Sequence, residues 1–160
     1  MTDPRVLDVA VIGGGPAGLM AAETVARAGK SVAVFEKMPT FGRKFLMAGR
    51  GGLNLTHSED FERFGRRYGA RSPTLGPMLQ VFAPKDLVAW AEGLGQPTFV
   101  GASGRVFPKA MKASPLLRAW LRRLRQAGLA IHVRHRWCGW DEHKSLRFET
   151  PEGPTSVRAD

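Results

Sequence analysis

The chain has 160 residues, enough for one globular domain, and its 43% hydrophobic and 24% charged content excludes disordered and collagen-like classes. Twenty-four Lys and Arg against fourteen Asp and Glu give a formal charge of +10, a balance suited to anionic partners such as a phosphorylated cofactor, nucleic acid or a membrane face. The single cysteine, Cys138, excludes an internal disulfide, and no apolar run approaches the roughly 18 to 20 residues that span a bilayer.

Around the start, Asp3, Arg5 and Asp8 flank a short apolar run. That pattern makes a poor signal peptide and sets the expectation of a cytoplasmic setting. Residues 7–12 are mostly apolar, β-branched and bounded by glycine, which predicts a buried strand. Gly13, Gly15 and Gly18 follow in G-x-G-x-x-G spacing, with Pro16 and Ala17 between them. An alanine-rich helix is predicted over 19–28, closed by Gly29, and Ser31 to Phe35 give a second strand with Glu36 at its tip. Gly13 allows a sharp exit from the first strand, Gly15 a close approach of a pyrophosphate, and Gly18 tight helix–sheet packing. The helix start offers unpaired N–H groups to phosphate, Pro16 sits where a missing N–H costs nothing, and Glu36 is spaced to accept ribose hydroxyls. A carboxylate there also repels the extra phosphate of NADP. Strand, turn, helix, strand and acid in this order predict a dinucleotide site, with an ordinary βαβ turn as the alternative. The motif alone does not separate FAD from NAD.

Residues 59–68 predict a short helix weakened by Gly65, and Pro84 opens a better one that ends near Gly93. Residues 98–100 and 105–107 are set to pair as a hairpin across 101–104. Ser114 and Pro115 serve as N-cap and first helical residue of a helix closing at Gly128, with Leu117, Trp120, Leu121 and Leu124 on its apolar face. Its four arginines read as a solvated face, and no nucleic-acid module accompanies them. Beyond Gly128, Ile131 to Cys138 alternate as one strand, and 145–149 and 155–158 complete a three-stranded antiparallel meander. His132 and His135, three apart on that strand, are expected to point to opposite faces. No metal cluster, nucleophile–base pair or second dinucleotide fingerprint is present in the sequence, so no NAD(P)H site is expected on this chain.

The segment from Phe41 to His57, F-G-R-K-F-L-M-A-G-R-G-G-L-N-L-T-H, resembles a stretch in the BaiN-type, aminoacetone-oxidase-like family of FAD-dependent flavoproteins. Members read approximately G-[RK]-K-x-x-x-[ST]-G-G-G-R-C-N-x-T-N. Here the arginine is displaced and Leu53 replaces the usual cysteine, as in a divergent subgroup. Residues 82–87 and 104–108 are also similar to that family. The resemblance implies a glutathione-reductase-like, Rossmann-like FAD-binding domain of α/β class with a small β-meander, incomplete at its C-terminal side. Its parts would be a βαβ unit with a glycine-rich loop at 1–58, a mainly helical segment at 59–128 and the meander at 129–160. A third parallel strand, a substrate domain and a C-terminal flavin segment would lie beyond Asp160.

By the same resemblance FAD is the cofactor and the activity is an oxidoreduction through the flavin on an unidentified small molecule. Gly13, Gly15, Pro16, Ala17 and Gly18 would hold pyrophosphate and Glu36 the ribose. Lys37, Arg43 and Lys44 would neutralise phosphate or flank adenine, unless Arg43 and Lys44 form only a solvated basic loop. Gly49, Arg50, Gly51, Gly52 and Asn54 would approach flavin or pyrophosphate, or form a plain turn. Trp137 would meet adenine through its backbone, or serve as a core aromatic. The rival reading is a truncated, non-catalytic nucleotide-binding or basic interaction module.

Overall fold

The computed structural model describes residues 6–48 and 51–160. The chain divides into two compact units, 1–45 with 121–160, and 46–120. The first unit is built on a parallel sheet of β1 (Val9–Ile12), β2 (Val32–Glu36) and β6 (Ala130–Val133) in the order β1-β2-β6. Val9 pairs with Val32 and Ala33 with Ala130, so β2 is central. Val32 to Phe35 are all buried, as a strand covered on both faces requires. α1 (Pro16–Arg27) packs on β1 and β2. Its buried side chains include Leu19 and Ala22, and it closes at Gly29, which has φ 74°. Glu23, also buried on α1, accepts a hydrogen bond from Arg27 at 2.8 Å and forms an ion pair with Arg123 at 2.7 Å, so two guanidinium groups offset its desolvation.

The opposite face of the sheet carries β7 (Arg136–Trp140), β8 (Leu146–Thr150) and β9 (Gly153–Val157), an antiparallel meander. Phe148 stacks on Phe35 with ring centroids 4.4 Å apart, and Ala33, Phe35, Leu146 and Phe148 form a buried cluster. The meander expected over 129–160 therefore needs correction. The run from Ile131 to Cys138 is not one strand: it breaks at Arg134, whose φ is 57°. Its first half joins the parallel sheet and only its second half enters the meander. A third parallel strand, β6, thus lies within the described residues.

The second unit holds α3 (Phe61–Arg66), α4 (Ser72–Val81), α5 (Pro84–Glu92) and a small antiparallel sheet. That sheet orders β3 (Thr56–His57), β5 (Arg105–Pro108) and β4 (Thr98–Val100) as β3-β5-β4, and it contains the expected hairpin. Asp60 caps α3 by accepting from the Arg63 amide at 2.9 Å, and Asp86 holds the start of α5 by accepting from the Ala83 amide at 2.8 Å. Trp90 and Trp120 meet edge-on at 4.8 Å inside this unit. Two helices run across the division of the chain, α2 (Arg43–Ala48) and α6 (Ala113–Gln126). α6 begins one residue before Ser114, which lies inside its first turn instead of capping it.

Candidate functional site

In the first unit the exits of β1 and β2 and the start of β7 come together at one crevice of about 450 Å³. Its walls are Ile12, Gly13, Phe35, Glu36, Lys37, His135, Arg136 and Trp137. The chain leaves β1 at Gly13, whose φ of 105° is strained for any L side chain, and the Gly13 amide donates to the Phe35 carbonyl at 2.8 Å. Next, the Gly14 amide donates to Glu36 Oε2 at 2.8 Å, while Glu36 Oε1 accepts from the Met38 amide at 2.8 Å. Each carboxylate oxygen is engaged once. An ionised carboxylate has about four acceptor positions, which leaves about two for an incoming hydroxyl pair.

The fingerprint glycines have different physical reasons. A Cβ on Gly18 would stand 2.0 Å from the Gly13 carbonyl oxygen, so Gly18 serves the close approach of α1 to the loop. A Cβ on Gly14, which is not a fingerprint position, would strike the Phe41 ring at 2.0 Å. Gly15 has neither reason: a Cβ there meets nothing within 4 Å, and its φ of −83° suits any residue. Gly15 is the N-cap of α1 without a side-chain cap, no acidic side chain lies in the first turn, and Pro16 opens the helix. Among the described residues no acceptor meets the amides of Gly15, Ala17 or Gly18. An anion fits such a turn, with the positive end of the helix dipole behind it.

The expected residues are distributed unevenly. Gly13, Glu36, Lys37 and Trp137 share the crevice, and Gly15, Pro16, Ala17 and Gly18 form the adjoining turn. Arg43 and Lys44 lie exposed in the first turn of α2 and are not on the crevice wall. Gly51, Gly52 and Asn54 belong to the second unit. There Asn54 Nδ2 donates to the carbonyls of Thr56 at 2.8 Å and Val106 at 3.1 Å, and Gly52 has φ 111° with Met111 Cε 2.8 Å from where its Cβ would stand. Gly49 and Arg50 lie outside the described residues.

Sequence reasoning missed His135. The break at Arg134 turns its ring toward His132, at 5.1 Å between centroids, so the expectation of opposite faces is corrected. A period-two pattern carries no sign of that break. Among the described residues no group of three or more potential metal ligands occurs, and no helix is long and apolar enough to cross a membrane.

The family model described as "HI0933-like protein Rossmann domain" matches residues 7–160. A ribosomal RNA dihydrouridine synthase of Haemophilus influenzae is 49% identical over 49 residues, 31% of this chain and 12% of that protein. A thiamine thiazole synthase of Methanosarcina mazei is 32% identical over 97 residues, 58% of this chain and 37% of that protein. The 3-ketosteroid-delta4-(5alpha)-dehydrogenase of Rhodococcus jostii RHA1, solved with 4-androstene-3,17-dione, shares the fold with a TM-score of 0.73 at 16% identity, over 99% of this chain and 45% of that one. The chain thus spans less than half the length of each of these proteins.

Proposed function

The chain belongs to the HI0933-like Rossmann-domain family, FAD-binding flavoproteins of oxidoreductase type, and on that premise we propose that its first unit holds the adenosine diphosphate half of FAD. The observation that carries this reading is Gly15. It is a glycine that the protein's own packing does not require, placed beside amides without protein acceptors. The pyrophosphate takes the Gly15–Gly18 turn, Glu36 takes the ribose hydroxyls with its remaining lone pairs, and the base lies toward His135 and Trp137. Lys37 adds positive charge at the crevice. Arg43 and Lys44 act at longer range, from an exposed helix turn. Bound FAD supplies a two-electron carrier, and the protein's task is to hold and orient it.

The experiment compares two alanines by titration with ADP and by thermal melting. Gly15→Ala should keep the fold, costing no more than about 1 kcal/mol at an N-cap position, and should weaken ADP at least ~10-fold, about 1.4 kcal/mol. Gly18→Ala should lower the melting temperature further, because its Cβ meets backbone. Unchanged ADP affinity in Gly15→Ala overturns the reading and leaves the non-catalytic interaction module in its place.

For the substrate, a small molecule is one class. A uridine ring in RNA is a second, favoured by the +10 charge and by the name of the Haemophilus influenzae relative. That second class departs from the sequence reading, which disfavoured nucleic acid for lack of a recognition module. Salt-sensitive retention of ribosomal RNA by the protein supports it, and no retention at low salt removes it.

A further inference from the structure

We propose that His135 is a specificity-determining residue: its Nε2 accepts a hydrogen bond from the exocyclic amine of adenine, selecting adenosine over inosine nucleotides. The inference rests on the dinucleotide reading of the same crevice and adds a base-reading group to it.

His135 is held from several sides. Its amide donates to the Glu36 carbonyl at 2.9 Å, and the preceding Arg134 amide donates to the Met38 carbonyl at 3.1 Å, so the turn between β6 and β7 is tied to the exit of β2. Its ring stands 5.8 Å from Phe35, 6.1 Å from Phe148 and 5.1 Å from His132, measured between centroids. The Nδ1 atom lies 2.8 Å from the Val133 carbonyl oxygen. A carbonyl only accepts, so Nδ1 carries the proton and, in the neutral ring, Nε2 carries the lone pair.

The other walls of the crevice narrow the choice. Lys37 and Arg136 only donate, the Trp137 indole only donates, and Ile12, Gly13 and Phe35 offer no side-chain acceptor. Glu36 is already engaged by two backbone amides and is assigned to the ribose. Besides Glu36, His135 is therefore the lining side chain that can offer an acceptor, through Nε2. Its neighbour His132 stacks on Phe35 at 4.9 Å, and its partial burial holds its pKa below the usual imidazole value. Adenine presents an amine at position 6, a donor that matches Nε2. Hypoxanthine presents a carbonyl oxygen there, which would set lone pair against lone pair.

The test is calorimetric titration of the intact chain with ADP and with IDP. The wild type should prefer ADP about tenfold, as expected for one matched against one mismatched hydrogen bond. His135→Phe keeps a flat ring without nitrogen and should bring the ratio to about one by weakening ADP. His135→Gln, which retains an acceptor, should keep part of the preference and serves if the phenylalanine variant does not fold. Gly15→Ala should weaken both nucleotides by a similar factor. A wild type that binds both equally, or a His135→Phe protein that keeps the wild-type ratio, overturns the proposal while the dinucleotide site stands. A wild type that binds neither at millimolar concentration overturns both.

Discussion

A carboxylate that belongs to no motif in the sequence can fix the first strand, and Asp8 is such a residue. It stands just before β1 and faces the start of β2: its Oδ2 accepts from the Ser31 amide and hydroxyl, each at 2.7 Å, and its Oδ1 accepts from Lys30 Nζ at 3.1 Å. The Asp8 amide in turn donates to Ser31 Oγ at 2.8 Å. These bonds, the Ser31 hydroxyl foremost, lower the Asp8 pKa to about 2. A group whose pKa is depressed by folding contributes stability above its unfolded value, near 3.9, and loses it as pH falls through the folded value. Asp8→Ala should therefore melt below the wild type at pH 7, and the gap should close between about pH 4 and pH 2. Thermal melts of both proteins across that range check the sign, and a gap that persists unchanged below pH 2 would show that the loss is not electrostatic. Glu36 illustrates the same economy in the crevice. One side chain ties the Gly14 turn to the tip of β2 with one bond per oxygen, and on the proposed reading its remaining lone pairs also take the ribose, so that loop geometry and ligand binding would depend on a common group.

At the scale of elements, the split between β6 and β7 places the crevice. Arg134 adopts φ 57°, a conformation that costs a side-chain-bearing residue roughly 1 kcal/mol and a glycine little. Arg134→Gly should leave the fold intact and change stability by no more than about 1 kcal/mol in the stabilising direction, because relief of strain is partly offset by unfolded-state entropy. Arg134→Val should destabilise, since a β-branched residue tolerates this region least. Chemical denaturation of the two variants decides, and a stabilised valine protein would refute the turn. The same element shows what the sequence could and could not convey. β1, α1 and β2 are legible because strand, glycine turn and helix lie within thirty residues and each carries its own local signal. The hairpin of β4 and β5 is legible from two short apolar runs around glycines. The division of the run from Ile131 to Cys138 is not, because its side chains alternate through the break and Arg134 gives no glycine or proline mark. With that break hidden, a third parallel strand passes for a meander strand and a crevice histidine for a sheet residue.

For the molecule as a whole, the turn and crevice built by the first unit follow from local spacing, whereas the placement of the segment 51–54 does not. Gly13, Gly15 and Gly18 hold a turn, and Glu36 a strand tip, that a spacing rule captures, whereas the contacts of the segment resembling the family's flavin loop are made with residues far away in sequence. Asn54 spends its amide on the carbonyls of Thr56 and Val106, and Gly52 packs against Met111. This division has a measurable consequence. The first unit offers a crevice of about 450 Å³ beside the Gly15–Gly18 turn, with the Glu36 carboxylate and the rings of Phe35, His135 and Trp137 on its walls, the groups to which the proposed reading assigns an adenosine diphosphate. If those groups supply the affinity, the dimethylisoalloxazine half of FAD adds little free energy on this chain, and ADP and FAD should bind within about a factor of ten of each other, a difference below ~1.4 kcal/mol. Both should weaken as salt rises, since the net charge of +10 favours anions at long range and is screened within about 10 Å at 0.1 M ionic strength, whereas uncharged adenosine should respond little. Parallel titrations of FAD, ADP and adenosine at two salt concentrations separate these contributions. FAD binding a hundredfold tighter than ADP would place flavin-holding groups within these 160 residues, and equal salt dependence for adenosine and ADP would remove the phosphate from the turn at Gly15.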